Sequence, residues 1–239
     1  MKRHPIKLSV ILATYNEHKN IQKLVPRVIK ALNRRCTYEI IVVDDNSPDG
    51  TAKAVRNMMK KYPHLRLILR TKNRGLSNSL IDGFKSARGR YIAQLDSDLC
   101  HDPKALPTMI RMLDLKEADM VIGSRYVKGS SFSGKPFIKE SASKAAQFIA
   151  KAILGVSVKD TTNNFRVFRS EVFDTIKSNL RTTGNIMLTE MVYQTEKHGF
   201  RIKEIPTRYV EQREDQTKIR LGKETAKFMI NVVRIRMGR

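Results

Sequence analysis

Two aspartates one residue apart, Asp96-Ser97-Asp98, end the apolar run Tyr91-Ile92-Ala93-Gln94-Leu95. Side chains i and i+2 of a strand share a face, and both carboxylates can converge on one ion where the strand opens into a loop. Hard oxygen donors of this kind suit Mg²⁺ or Mn²⁺, which complete their shells with water and substrate phosphates. Spacing alone also describes a solvated strand end, the commoner case, because D-x-D is short and frequent.

The elements that must position this pair alternate along the chain. Residues 7–14 are β-branched and apolar and read as a buried first strand. The turn Tyr15-Asn16-Glu17 follows, with Asn16 placed to cap an amphipathic helix reaching Leu32. Pro26, inside that helix, is expected to kink or split it. A second buried strand, 38–43, ends at Asp44-Asp45. The turn cluster Asn46-Ser47-Pro48-Asp49-Gly50-Thr51 leads into a helix towards Met59, capped by Asp49 or Thr51. Residues 65–69 form a third strand. A loop holding Arg74-Gly75 and a helix over 77–87 precede the strand that ends at Asp96. Pro103 opens the next helix, and 119–123 is a further strand.

This alternation predicts an α/β fold, a mainly parallel, Rossmann-like sheet flanked by helices. Ligands of such sheets gather outside the carboxyl ends of the strands, where Tyr15, Asp45, Asp96 and Asp98 all fall. Beyond residue 126 the pattern changes. Residues 128–136 are small and polar, expected as a mobile loop over substrate. Helices are expected over 141–154, 170–178 and 186–198, short strands over 202–205 and 207–210, and a basic amphipathic segment over 223–239. Neither an internal repeat nor a linker divides the chain, which reads as one domain over 1–239.

Composition limits the partners. Lys and Arg total 46 against 23 Asp and Glu, a formal net charge of +23 that favours nucleic acid, anionic lipid or phosphorylated substrates. No nucleic-acid motif or stacking-aromatic pattern accompanies the charge, so no specific nucleic acid is expected. Cys36 and Cys100 give no disulfide framework and fit a reducing compartment. The N-terminus does not look like a secretory signal, and no stretch approaches the ~20 apolar residues of a bilayer span. A soluble or peripheral protein is expected.

Four stretches in order, Ala13-Thr14-Tyr15-Asn16-Glu17, Asp44-Asp45-Asn46-Ser47-Pro48-Asp49-Gly50-Thr51, Asp96-Ser97-Asp98-Leu99 and Gly123-Ser124-Arg125-Tyr126, resemble the GT-A glycosyltransferases of family two. Within that family they are similar to the dolichol- or polyprenol-phosphate mannose synthases, with weaker echoes at 160–166, Glu190 and Lys218. The resemblance implies a GT-A fold with a nucleotide-sugar part over 1–126, an acceptor-side helical part over 127–222 and a C-terminal helix over 223–239. It implies a GDP-mannose donor, a dolichyl or polyprenyl phosphate acceptor, and peripheral work at the cytosolic face of an anionic membrane, with a small membrane subunit among the partners. Ala13, Tyr15, Glu17, Val43 and Asp45 would hold the nucleoside. Asp96 and Asp98, with Ser97 between them, would place Mg²⁺ or Mn²⁺ on the diphosphate. Arg125, Arg213 and Lys218 would add positive charge. Asp160 would position acceptor or sugar hydroxyls and joins Asp96 and Asp98 as a catalytic candidate, with Glu190 a further carboxylate to test. A phosphate monoester is already an anion near neutral pH, so orientation and leaving-group stabilisation matter more than a general base.

The chain departs from the family pattern at several positions. Ala13 stands where Pro is usual, Cys100 where Gln is usual, and Asn164 where Gly precedes Phe165-Arg166. His101 reads as a surface loop residue. In 212–218 a Gly is missing and Arg213 lies one residue closer to Lys218 than expected. Other readings are transfer of glucose or an N-acetylhexosamine from a UDP-sugar, or an inactive basic binding protein on a transferase fold.

Overall fold

Alternating burial along the strands builds two helical layers around one sheet. The computed structural model describes residues 6–133, 137–210 and 221–238. In β1 (Leu8–Thr14), Leu8, Val10 and Leu12 face one side, and Ile11 faces the other. β2 (Tyr38–Asp44) repeats this with Ile40 and Val42 against Ile41 and Val43. The first face is covered by α1 (His18–Leu32), α2 (Thr51–Met59) and α4 (Leu106–Asp114). The second is covered by α3 (Leu76–Ser86), α5 (Phe137–Leu154), α6 (Ser170–Ile176), α7 (Ile186–Lys197) and α8 (Leu221–Arg236). At Gly83 of α3 a Cβ would collide with Ile11 and meet Val43, so glycine lets this helix lie close on β1 and β2.

With β3 (Leu65–Leu69), β4 (Tyr91–Gln94), β5 (Met120–Ser124), β7 (Arg166–Arg169) and β8 (Ile202–Pro206), the seven-stranded sheet runs β3-β2-β1-β4-β7-β5-β8. All neighbours are parallel except β7, antiparallel to both β4 and β5. The mainly parallel α/β sheet expected from sequence is present, but β7 is an addition: Arg-Val-Phe-Arg is too short and too charged to announce a central strand.

Three local expectations change. Residues 128–136 were expected as a loop, yet β6 (Ser131–Ser133) pairs in parallel with β9 (Arg208–Val210). Helix α1 runs unbroken through Pro26, which only forgoes one donor. Asn16 is not the cap of α1: it sits at φ 60°, and Glu17 occupies the cap position without a side-chain cap bond. The free N–H groups there are met from the neighbouring loop, Asn16 N–H by Ser47 Oγ, Glu17 N–H by Thr51 Oγ1 and His18 N–H by Asp49 Oδ2. Asp49 also accepts from Thr51 N–H at the start of α2, after Gly50 turns the chain at φ 85°. One turn cluster therefore caps two helices.

Candidate active site

The carboxyl ends of β1 and β2 and the start of α3 enclose a cavity of about 470 Å³, lined by Ala13, Thr14, Tyr15, Asp45, Arg74, Gly75, Leu76 and Ser79. That volume and its position beside the β1–β4 switch point suit a small-molecule ligand. Tyr15 is 53% exposed, an aromatic face open for stacking. Asp45 is no solvated turn residue. Its Oδ1 accepts from Arg70 Nη1 at 2.5 Å and Ser79 Oγ at 2.9 Å, and its Oδ2 accepts from Gly75 N–H at 2.6 Å. A carboxylate has about four lone-pair sites, so roughly one remains for a ligand. Arg70, buried, also binds Asp82 and the Asn73 carbonyl, so it fixes the loop that forms the far wall.

The other nucleoside candidates serve this cavity from behind. Val43 is fully buried on the α3 side and offers only backbone. Glu17 is buried and accepts from Asn20. Asp44 accepts from Thr14 Oγ1 and from Ser47, locking the β1 and β2 ends together. Ser97 Oγ donates to the Ala13 carbonyl at 2.9 Å, which couples the Asp96–Asp98 loop to the cavity wall.

Asp96 keeps 32% of its side chain exposed. Its Oδ1 accepts from Asn164 Nδ2 at 2.7 Å, and its Oδ2 lies 3.4 Å from His101 Nε2, an ion-pair distance rather than a well-formed hydrogen bond. Burial pushes the Asp96 carboxyl up, but His101, Asn164 and the Arg125 charge outweigh it and hold it below the ordinary carboxylate range. Asp98 is half-buried, and its Oδ1 accepts from Cys100 N–H at 3.0 Å. His101 is not the surface residue expected. It is 1% exposed, packed between the Phe165 and Tyr209 rings. Burial is the first cause of a strongly raised Tyr209 hydroxyl pKa, reinforced by Cys100 and by Asp98 and Asp96.

The acceptor-side candidates are closed on one another. Arg125 donates to both Asp160 oxygens, at 2.8 and 2.7 Å, and to Thr162 Oγ1. Asp160 is fully buried and also accepts from Asn163 N–H, so it presents no open oxygen; here it holds Arg125. Burial raises the Asp160 pKa, and the Arg125 bonds and charge lower it further than that, with a net fall. Behind them Arg166, fully buried, donates to the carbonyls of Asn163, Leu188 and Thr161. Burial pulls its pKa down to about 9, which still leaves a cation at neutral pH. Glu190 accepts from Arg181 N–H and from Thr182 N–H and Oγ, away from the cavity residues. Arg213 and Lys218 lie outside the described residues. Arg70, Arg74 and Asn164 enter the site unannounced, because their partners lie far off in sequence or, like the Arg70 fork, are read only in three dimensions.

Among the described residues no three His, Cys, Asp or Glu side chains cluster as a metal cage. A Mg²⁺ or Mn²⁺ that takes two carboxylates and fills its shell with water and phosphate oxygens needs none, and two adjacent carboxylates, one of them held ionised, fit such an ion.

The architecture is that of the GT-A fold. Over 97% of this chain and 80% of the other it superposes on the UDP complex of Mycobacterium tuberculosis glucosyl-3-phosphoglycerate synthase, with a TM-score of 0.74 and 17% identity. It also matches a Pyrobaculum calidifontis mannosyltransferase in complex with GDP-Man and Mn²⁺, with a TM-score of 0.64, 20% identity, and 90% and 59% of the two chains covered. At these identities the likeness concerns the fold. The chain belongs to glycosyl transferase family 2, whose pattern matches residues 9–177. Similar proteins include a dolichol-phosphate mannosyltransferase of Pyrococcus furiosus, 39% identical over 73% of this chain and 49% of that protein. A polyprenol monophosphomannose synthase of Mycolicibacterium smegmatis is 31% identical over 84% and 77% of the two chains. The chain thus spans about half the length of the first of these relatives.

Proposed function

We propose that this protein transfers mannose from GDP-mannose to a dolichyl or polyprenyl phosphate, with inversion at the anomeric carbon and with Mg²⁺ or Mn²⁺ held by Asp96 and Asp98. The observation that carries the reading is the coupling of an ionised carboxylate to a nucleoside-sized cavity through the Ser97–Ala13 hydrogen bond. The names of the relatives support the sugar and the acceptor class.

Tyr15 stacks on the base, and the last lone pair of Asp45 accepts from the base edge or a ribose hydroxyl. Arg74, exposed at the rim, adds positive charge beside the cavity. When bound, the ion supplies charge to the departing nucleoside diphosphate. The Arg125–Asp160 pair orients a guanidinium next to Tyr126 and Tyr209 rather than offering a free cation. Arg213 and Lys218 supply further cations for the phosphates. The acceptor phosphate attacks as an anion, so no side chain is required as a base.

Among the described residues no helix is long and apolar enough to cross a membrane. α8 exposes Ile230 and Val233 beside Arg234 and Arg236, and Met237 just past its end is exposed too, which suits peripheral binding to an anionic cytosolic leaflet, alone or with a small membrane subunit.

The test is transfer of radiolabelled sugar from GDP-mannose to a short polyprenyl phosphate with Mn²⁺ or Mg²⁺, then with EDTA. Organic-soluble label that vanishes with EDTA is the expected result. Transfer from UDP-glucose or a UDP-N-acetylhexosamine instead would replace the donor, and the absence of turnover with every donor would sink the reading.

A further inference from the structure

The Asp96 carboxylate is gripped by a relay that the donor reading does not require. Asn164 Nδ2 donates to Asp96 Oδ1 at 2.7 Å, and Gln94 Nε2 donates to Asn164 Oδ1 at 2.7 Å. Gln94 is fully buried and Asn164 is 5% exposed. An ionised carboxylate only accepts, so Asn164 must turn its NH₂ to Asp96 and Gln94 must turn its own NH₂ to Asn164. Charge at one end thus fixes the direction of both amides. The consequence is that Gln94 Oε1 is buried with no hydrogen-bond partner among the described residues, a rare condition in folded proteins. Flipping Gln94 would set its carbonyl oxygen against that of Asn164.

The backbone does not need the relay. Gln94 and Arg166 pair across β4 and β7 in the regular antiparallel ladder, whatever their neighbours carry. On the other side of Asp96, His101 Nε2 faces Oδ2, its ring fixed by Phe165 and Tyr209. Bonded at Oδ1 by Asn164 and faced at Oδ2 by His101 at 3.4 Å, the carboxylate still keeps 32% of its side chain exposed.

We propose that Asn164, anchored by Gln94, is a positioning residue that fixes the rotation of the Asp96 carboxylate for a divalent ion. This rests on the metal-dependent reading above. Partners that orient a ligating carboxylate change metal affinity by roughly 10- to 100-fold when removed.

The experiment titrates the full chain with Mn²⁺ in the presence of GDP, following the loss of the free Mn²⁺ signal by electron paramagnetic resonance. Asn164→Ala is expected to raise the Mn²⁺ Kd by about 10- to 100-fold. Gln94→Met keeps the volume and deletes the orphan carbonyl but strands Asn164 Oδ1 in its place, so its melting temperature should change little while its Mn²⁺ affinity falls. A purely structural role would not give that split. In an Asp96→Asn background, Asn164→Ala should cause no further loss. Unchanged Mn²⁺ affinity in both single variants, or an equal loss in the Asp96→Asn background, overturns the proposal alone. A wild-type chain that binds no Mn²⁺ with GDP overturns the metal reading and this proposal together. If Asn164→Ala does not fold, Gln94→Met decides the matter.

Discussion

At the carboxyl ends of β1, β2 and β4 the functional groups keep a face open, whereas the charged groups around β5 and β7 close on one another. Asp96 leaves 32% of its side chain exposed and Tyr15 is 53% exposed, while Asp160 and Arg166 are fully buried. Both regions carry carboxylates and cations, Asp45, Asp96 and Arg70 in the first and Asp160, Arg125 and Arg166 in the second. The difference lies in what satisfies them. Asp160 spends its oxygens on Arg125 and Asn163, and Arg166 spends its guanidinium on three carbonyls. Asp96 keeps a surface that only something from outside can meet. A group left incomplete by its own chain is a binding group, and one completed by its own chain is a scaffold.

Substitutions can break this contrast. Asp96→Asn should lower sugar transfer by on the order of 10³- to 10⁴-fold, since an ion loses several kcal/mol of charge stabilisation, while the melting temperature stays within a degree or two of wild type. A parallel collapse in stability would show that Asp96 belongs to the scaffold.

Asp160→Ala should do the reverse. It strands Arg125 in the interior and costs about 3–5 kcal/mol, read by urea unfolding with an unchanged m-value. Loss of turnover with intact stability would return Asp160 to the substrate. The same pair sets a pH dependence. Because the folded pKa of Asp160 lies below its unfolded value, its stabilisation is fully present above the ordinary range near ~4 and is lost as pH falls through the lowered native value. Wild type should therefore lose more stability than Asp160→Asn between neutral pH and strong acid. Parallel acid limbs would remove the pair from the scaffold.

Ser79→Ala tests the cavity wall with a smaller effect. It deletes one of three donors to Asp45, and about 1 kcal/mol lost from that network would weaken GDP binding by several-fold, read by calorimetry. Tighter GDP binding would mean that the freed lone pair serves the ligand better than Ser79 does.

How much of this was legible follows from where each partner lies. The strands β1 to β5 announce themselves because their hydrophobic runs are local, and the parallel sheet places Tyr15, Asp45, Asp96 and Asp98 at its carboxyl edge without further information. β7 stays hidden because Arg166 pays for its burial with carbonyls of Thr161, Asn163 and Leu188, which no spacing rule joins to it. His101 is misread for the same reason: the rings that bury it come from Phe165 and Tyr209. Arg125 is legible as a cation after a buried strand, but its neutralisation by Asp160 is not. Sequence shows which groups carry charge; packing decides which remain available.

The smallest effect concerns the turn cluster that links the ends of β1 and β2. Thr51 is fully buried, its Oγ1 accepts from Glu17 N–H across the loop and donates to Asp49 Oδ1. Thr51→Ala removes an acceptor from the start of α1 and should cost about 1 kcal/mol, within the range of a lost helix cap. Thr51→Ser keeps the hydroxyl and should recover most of it. Because Tyr15 and Glu17 ride on this junction, GDP affinity should fall with Thr51→Ala and return with Thr51→Ser. If stability drops while GDP binding is untouched, the cap belongs to the scaffold alone, and the open edge of the sheet is held by Asp44 and Asp45 without it.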